Sequence, residues 1–530
     1  SGNIYMGTLS GSIHMLPADD PSVKSIKLVV AEGDALGAIR SVFVDPWQNL
    51  WIGTEFGLFV RYSTERQFIA ITQTAAGRPL TDVMTMIMDT DQRIWLSAGK
   101  NLYIKEGNTW KQPAQVFRSG ALLGNENVYS LYQDSYNLIW MGTFGDGVYR
   151  FNPATGNVKQ YSFNAPAYED FIGINSVWAI AEDHDANLWI GTWGGGLFFY
   201  DRAKDSFEHY HSVPDDEKTL SNNKILSLLV DTEGVIWIGT DGGGLNSFHP
   251  NTRSFERHQL GLSQNTLVLN RSILSLHEDQ SGQLWMGSDG GGLFRFNSRT
   301  LQFTVYNHTH GLINQSVKSI KEDLQGNLWL STNGGGIFMF IPKDERFIQF
   351  TIDDGLSSNR FHNGSGFVTA DGLMYFGSND GYTMFDPARI KANNFVPNII
   401  ITDVIINNSI RGYNSELFIE QLRSKDALYL KPASQLIAIE FAAIEYSLSG
   451  RNYYRYRLKG LNDEWTLLDQ HPRVSFMNLP HGRYTLEIQS TNSDGLWVDN
   501  IYSVKLIVMP PFYKTHWFGF ILMLLVLGVI

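Results

Sequence analysis

The chain has 530 residues, enough for several domains with full cores, and its 13% aromatic and 18% charged residues exclude a disordered polymer. A formal net charge of -12 leaves no basic stripe to neutralise phosphates, which argues against a nucleic-acid partner. The absence of cysteine excludes disulfide frameworks, thiolate zinc sites and thiol chemistry together.

From the N-terminus onward one unit recurs. An aromatic residue ahead of a Gly-Thr or Gly-Ser pair, or its equivalent, stands at Tyr5, Trp51, Trp95, Trp140, Trp189, Trp237, Trp285, Trp329 and Tyr375, at intervals of 44 to 49 residues. Such a period holds four short strands with their turns and is too short for an independent domain, which is the requirement of a β-propeller blade. In the unit around NLWIGTWGGGLFFYD, residues 177–181 form a first apolar strand, 182–187 a polar turn, 188–191 a second strand, 194–196 a glycine turn and 197–200 a third strand. A fourth strand passes through Phe207 and Tyr210. Leu188, Trp189 and Ile190 are consecutive apolar residues, so both faces of their strand must be covered, and stacked neighbouring blades do that. The glycine runs are not phosphate cradles, because no Gly-Lys-Ser/Thr follows them and no helical pattern opens after them. No cofactor is expected.

Taken in order, residues 1–64 hold two incomplete repeats and are expected to be the last blades of a preceding propeller. Residues 65–390 carry seven anchors and predict a seven-bladed β-propeller, with residues 67–72 returning as the fourth strand of the last blade so that no sheet edge is left open. A single ring of eight or nine blades starting at residue 1 is the alternative. The Trp95 repeat, RIWLSAGKNLYIKEG, lacks both the Gly-Thr and the triple glycine, so the pattern leaves the geometry of its blade open. Past residue 390 the glycines thin out. Alternating strands at 395–408, 436–447, 453–465 and 482–497 predict an immunoglobulin-like β-sandwich over residues 391–511. Residues 512–530 end in WFGFILMLLVLGVI, an uncharged run read as the start of a transmembrane helix whose aromatic and basic lead-in lies at the membrane interface. The fold class is therefore all-β up to that helix.

The repeats DANLWIGTWGGGL, DTEGVIWIGTDGGGL, DQSGQLWMGSDGGGL and DLQGNLWLSTNGGGI resemble the two-component regulator propeller repeat. The tail YRYRLKGLNDEW, followed by LPHGRY, resembles the triple-tyrosine domain that follows such propellers. Together they resemble the periplasmic sensor region of Bacteroidetes hybrid two-component histidine kinases. That resemblance implies two successive seven-bladed propellers, a triple-tyrosine domain, one span of the inner membrane, a homodimer and an oligosaccharide ligand. The histidine kinase activity it implies belongs to cytoplasmic parts outside this segment.

Propellers bind ligands on the face that carries the loops between second and third strands and the loops leading into each first strand. The first set contributes Phe144, Trp193, Asp241, Asp289, Asn333 and Asn379; the second contributes Lys224, Arg271 and Arg360, with Asn127, Asn175, Asn223, Asn270, Asn314 and Asn359 as turn formers in the main. Aromatic faces that stack on pyranose rings, with amides and carboxylates for hydroxyls, are what a sugar site needs. Asp241 and Asp289 offset Arg271 and Arg360, which favours a neutral oligosaccharide. The turn residues Asp231, Asp279 and Asp323 lie on the opposite face and read as turn formers, not calcium ligands. A propeller glycoside hydrolase or lyase would need a converging carboxylate pair, for which Asp241 and Asp289 are the sole candidates, and a protein-binding scaffold is the remaining alternative.

Overall fold

The computed structural model describes residues 3–17, 22–26, 37–45, 49–61, 68–117, 127–163, 173–258, 272–298, 300–390, 393, 395–406, 420, 422, 427–431, 436–445, 452–468, 471–514, 517–518, 520–521 and 527. One compact unit spans Gln67–Ala392, and the remaining residues form a second.

The first unit is a propeller of seven four-stranded antiparallel sheets. Blade 1 contains Val83–Met88, Ile94–Ala98, Asn101–Glu106 and Thr109–Lys111. In blades 2 to 6 the inner strands are Val128–Gln133, Val177–Glu182, Ile225–Val230, Ile273–Glu278 and Val317–Glu322. Blade 7 is built from Phe361–Val368, Met374–Ser378 and Gly381–Phe385, and its outer strand is Phe68–Ile71 from the start of the unit. The ring is thus latched by the two ends of its own chain segment, and the eight- or nine-bladed alternative is excluded. The Trp95 repeat still builds a full blade. Its second and third strands join through a tight turn with Gly99 at φ 54°, where the triple-glycine loop stands in blades 3 to 6.

Three contacts repeat around the ring and account for the sequence grammar. Each turn aspartate accepts the backbone N–H four residues on with one carboxylate oxygen and the indole N–H of the anchor tryptophan with the other. This holds at Asp89–Trp95, Asp134–Trp140, Asp183–Trp189, Asp231–Trp237, Asp279–Trp285 and Asp323–Trp329, with indole distances of 2.7 to 3.0 Å. These carboxylates are consumed by their own turns, as the reading of Asp231, Asp279 and Asp323 required. Blade 7 has Tyr375 as its anchor and Thr369 in the turn, so the aspartate and the indole are absent together.

Second, a serine on the inner strand donates to the first inner-strand carbonyl of the next blade: Ser130 to Val177, Ser227 to Ile273, Ser275 to Val317 and, across the closure, Ser365 to Val83. The glycine of each Gly-Thr/Ser pair makes room for it, since a Cβ on Gly142, Gly239, Gly287 or Gly377 would collide with that serine hydroxyl. Third, the last inner-strand residue reaches back to the turn of the preceding blade. Glu182 accepts the Ser135 amide and hydroxyl, Glu278 those of Thr232, and Glu322 the Gln280 amide.

In the second unit, Ile4–Gly7, Ile13–Leu16 and Lys24–Ile26 form one three-stranded sheet, and Ile39–Val44, Leu50–Thr54 and Gly57–Arg61 form another. Ile13, Ile39, Leu50 and Ile52 close the core between them. The sandwich comprises a three-stranded sheet (Asn398–Ile406, Leu436–Ile444, Arg473–Met477) and a five-stranded one. In the latter Ala427–Leu430 pairs in parallel with Tyr502–Val508, followed by Gly482–Ser490, Tyr454–Lys459 and Asn462–Leu467. The expected strand over 453–465 is therefore a hairpin, turned at Gly460 with φ 93°. Phe441, Leu458, Leu486 and Leu506 are buried in the shared core. Tyr454 accepts the Ala443 amide at 3.0 Å, and Tyr484 donates to the Pro480 carbonyl at 3.0 Å, so these tyrosines fasten loops and strands. Among the described residues no helix is long and apolar enough to cross a membrane, and the run 517–530 falls largely outside them.

Candidate functional site

The inner strands of the propeller enclose a central channel of about 630 Å³. Six of them carry a bulge at the second residue, where pairing with the next strand skips one position. The bulged residue leaves the ladder, and the two-residue alternation that would assign it to a blade face no longer applies. Tyr129 in blade 2, Trp178 in blade 3 and Lys318 in blade 6 occupy this place, and His362 follows the first residue of the blade 7 strand. All four line the channel. None was a sequence candidate; the available signal was a ring or a charge at the second position of strands that carry leucine there in blades 4 and 5.

The loop candidates form a ring pinned by backbone bonds. Phe144 N–H donates to Asn127, Trp193 to Ser176, Asp241 to Lys224, Asp289 to Ser272, Asn333 to Ser316 and Asn379 to Arg360, at 2.8 to 3.2 Å. On one side their rings join the bulge residues in a stacked column. Phe144 lies 5.4 Å from Tyr129, Tyr129 lies 5.0 Å from Trp178, and Trp178 lies 4.7 Å from Trp193 at 24°. Lys224 Nζ sits 5.1 Å over the far side of this column on Trp193. Trp178 has both faces covered and acts as a spacer. The open aromatic surface is Phe144, which is 46% exposed; the half-buried Trp193 ring is stacked on Trp178 and carries Lys224 over it.

The acidic candidates are already engaged. Asp241 accepts the Ser272 hydroxyl at 2.5 Å and lies 3.8 Å from Lys224 Nζ; Asp289 accepts the Ser316 hydroxyl at 2.6 Å. Each is tied to a serine of the following blade, an arrangement that fixes polar groups in place. Asn333 and Asn379 flank Arg360 through backbone contacts, and both line the channel with Lys318 and His362. Arg271 lies outside the described residues, as does Asn270. Asn175, Asn223 and Asn359 accept backbone amides of Phe163, Ser212 and Ile352, which is the turn role expected of them. Among the described residues no group of three His, Asp or Glu could hold a metal ion.

A separate cluster on the inner strands is structural. His277 lies 3.4 Å from Glu322. Burial, reinforced by Lys321, lowers its pKa to about 4 from the ordinary 6.5. The folded chain keeps this imidazole neutral while the unfolded chain takes up a proton below 6.5, so the unfolded state binds more protons between those values. Stability is therefore complete above pH 6.5 and is lost as pH falls toward 4, by roughly 3 kcal/mol. Denaturant titrations across that window should show a shallower decline for His277→Gln than for the parent, and equal slopes would refute the assignment.

The family described as two component regulator propeller matches residues 122–145, 172–194 and 219–242, and the Y_Y_Y domain matches residues 445–509. Histidine kinase P4 of Formosa agariphila is 27% identical over 177 residues, a stretch that covers 33% of this chain and 13% of that protein. The extracellular domain of the hybrid two component system BT4673 from B. thetaiotaomicron is 24% identical, with 96% of this chain and 68% of that chain covered and a TM-score of 0.51. That of BT3049 from the same organism is 22% identical, with 96% and 77% covered and a TM-score of 0.43.

Proposed function

We propose that this chain, a two-component sensor region by its propeller repeats and its Y_Y_Y domain, binds an oligosaccharide at the channel mouth of its propeller. The observation that carries the reading is the column from Phe144 to Trp193 beside a ring of backbone-pinned amides and carboxylates. Rings of this kind stack on the apolar face of a pyranose, and the fixed polar groups receive its hydroxyls.

In this reading the chain lies in the periplasm, is joined to the inner membrane through the segment beginning at residue 512, and works as a homodimer. The full-length protein is a hybrid histidine kinase that switches on genes for polysaccharide use. Ligand must bind the signalling arrangement of the two protomers better than the resting one, since otherwise no equilibrium shifts. The Y_Y_Y sandwich passes that difference toward the membrane.

Calorimetric titration with a panel of defined oligosaccharides, followed by inspection of each mixture for cleavage, tests the proposal. Saturable binding of one glycan series without turnover is the expected result. Turnover would identify an enzyme, and silence across the panel would leave the scaffold reading.

A further inference from the structure

The channel mouth is divided by charge as well as by shape. Across the ring from the aromatic column, blades 6 and 7 place Lys318 and His362 in the channel wall, with Arg360 two residues before His362 at the rim. Lys318 is half-buried in the channel wall and makes no hydrogen bond or ion pair with any described residue. Arg360 is exposed at the rim, and its guanidinium likewise has no carboxylate partner among the described residues. The His362 Nε2 atom is buried without a hydrogen-bond partner, and Asp82 Oδ1 lies 3.7 Å away, beyond hydrogen-bonding distance. The acidic members of the ring make no ion pair with these cations among the described residues: Asp241 is held by Ser272 and Lys224, and Asp289, whose charge reaches Lys318, accepts the Ser316 hydroxyl. Burial lowers the pKa of Lys318, and the Asp289 charge only partly opposes it.

A desolvated ammonium without a bonded counter-charge is costly. In a chain of net charge -12 it would readily be met by a carboxylate if structure alone were at stake. Here Lys318 and His362 border one cavity next to the amide-bearing Asn333 and Asn379, and Arg360, whose backbone contacts both asparagines, stands at its rim.

We infer that the oligosaccharide carries an anionic oxygen group, a uronate carboxylate or a sulfate ester, which enters the channel mouth between Lys318, Arg360 and His362 while its neutral rings extend toward Trp193 and Phe144. This inference rests on the oligosaccharide reading of the same face, and it departs from the neutral ligand that the balance of charged loop residues favoured. Lys318 supplies a point charge and Arg360 a planar fork suited to either oxyanion. The aromatic column then sets which sugar precedes the charged one.

The test is titration of the 530-residue chain with tetrameric uronate oligosaccharides, sulfated oligosaccharides, and the carboxyl-reduced or desulfated counterpart of each. One acidic series should saturate, and its neutralised counterpart should bind about 10-fold or more weakly, the loss of one charge-assisted bond. Whether carboxyl reduction or desulfation removes the affinity identifies the anion. Lys318→Met should weaken the acidic ligand about 10-fold and leave its neutralised counterpart unchanged; Arg360→Met, at the exposed rim, is the second variant should Lys318→Met unfold. Equal affinity for charged and neutralised forms, or no effect of either variant, would overturn the anionic inference and leave the oligosaccharide reading standing. Absence of binding by every glycan would overturn both.

Discussion

Replacing Asp134 by alanine is expected to destabilise the propeller by about 4 kcal/mol. The carboxylate is fully buried. It accepts the Tyr136 amide at 3.0 Å, the Leu138 amide at 2.8 Å, the Trp140 indole at 2.7 Å and Arg202 Nη2 from blade 3 at 2.9 Å. Truncation strands two amides, an indole N–H and one arm of a guanidinium that is itself only 16% exposed. Arg202 retains Glu182 at 3.4 Å and the Ala186 carbonyl at 2.7 Å, so the loss stays below that of a wholly orphaned charge. Thermal unfolding followed by near-ultraviolet circular dichroism should show the transition lowered by on the order of 10 °C. Asp134→Asn should fall between, because its oxygen still serves the turn amides while its NH2 meets the donors of Trp140 and Arg202. A loss below about 1 kcal/mol for the alanine variant would mean that this contact merely accompanies the fold.

The same residue shows what the sequence makes legible. The anchor period and the consecutive apolar residues at Leu188, Trp189 and Ile190 announce stacked blades, and Asp134 and Trp140 keep the six-residue offset that recurs in the other aspartate turns. That the aspartate binds the tryptophan is not visible in the spacing, because the turn folds the chain back and a reading by alternation treats the two as belonging to different elements. Blade 7 makes the pairing visible in retrospect, since Thr369 and Tyr375 replace both partners at once. The latch of Phe68–Ile71 was legible for a different reason: a ring with three strands at one end of the chain and a spare strand at the other has one way to hide its edges.

The candidate face was legible only where loops build it. Phe144 and Trp193 stand out because they interrupt a position filled by Asp or Asn in four other blades. Tyr129, Trp178, Lys318 and His362 did not, since they lie inside strands that read as core. A β-bulge is a feature of pairing between strands, and the residues that cause one carry no fixed signature in a single strand's sequence. Likewise Gly460 reads as an ordinary strand interruption until the hairpin of Tyr454–Lys459 and Asn462–Leu467 is seen.

If the aromatic column is the recognition surface, Trp193→Ala should weaken oligosaccharide binding by roughly 30- to 100-fold, equivalent to about 2 to 3 kcal/mol. Two losses combine in that figure. The Trp193 ring is the end of the column on the blade 4 side, so its removal deletes a stacking surface, and it frees Lys224, whose ammonium lies over the ring and 3.8 Å from Asp241. Trp178→Ala separates the mechanisms. Its faces are covered by Tyr129 and Trp193, so it offers little surface of its own, yet without it the two neighbours lose their spacing. A positioning role predicts a loss of about 10-fold that Trp178→Phe largely restores, whereas the loss in Trp193→Ala is restored less by phenylalanine, whose smaller face covers less of a pyranose. Lys224→Met should leave affinity for a neutral sugar unchanged or raised, because it removes a competitor for the ring face. Calorimetry on the three positions distinguishes these outcomes, and unaltered affinity in both Trp193→Ala and Trp178→Ala would remove the column from recognition and assign it to holding blades 2 and 3 together.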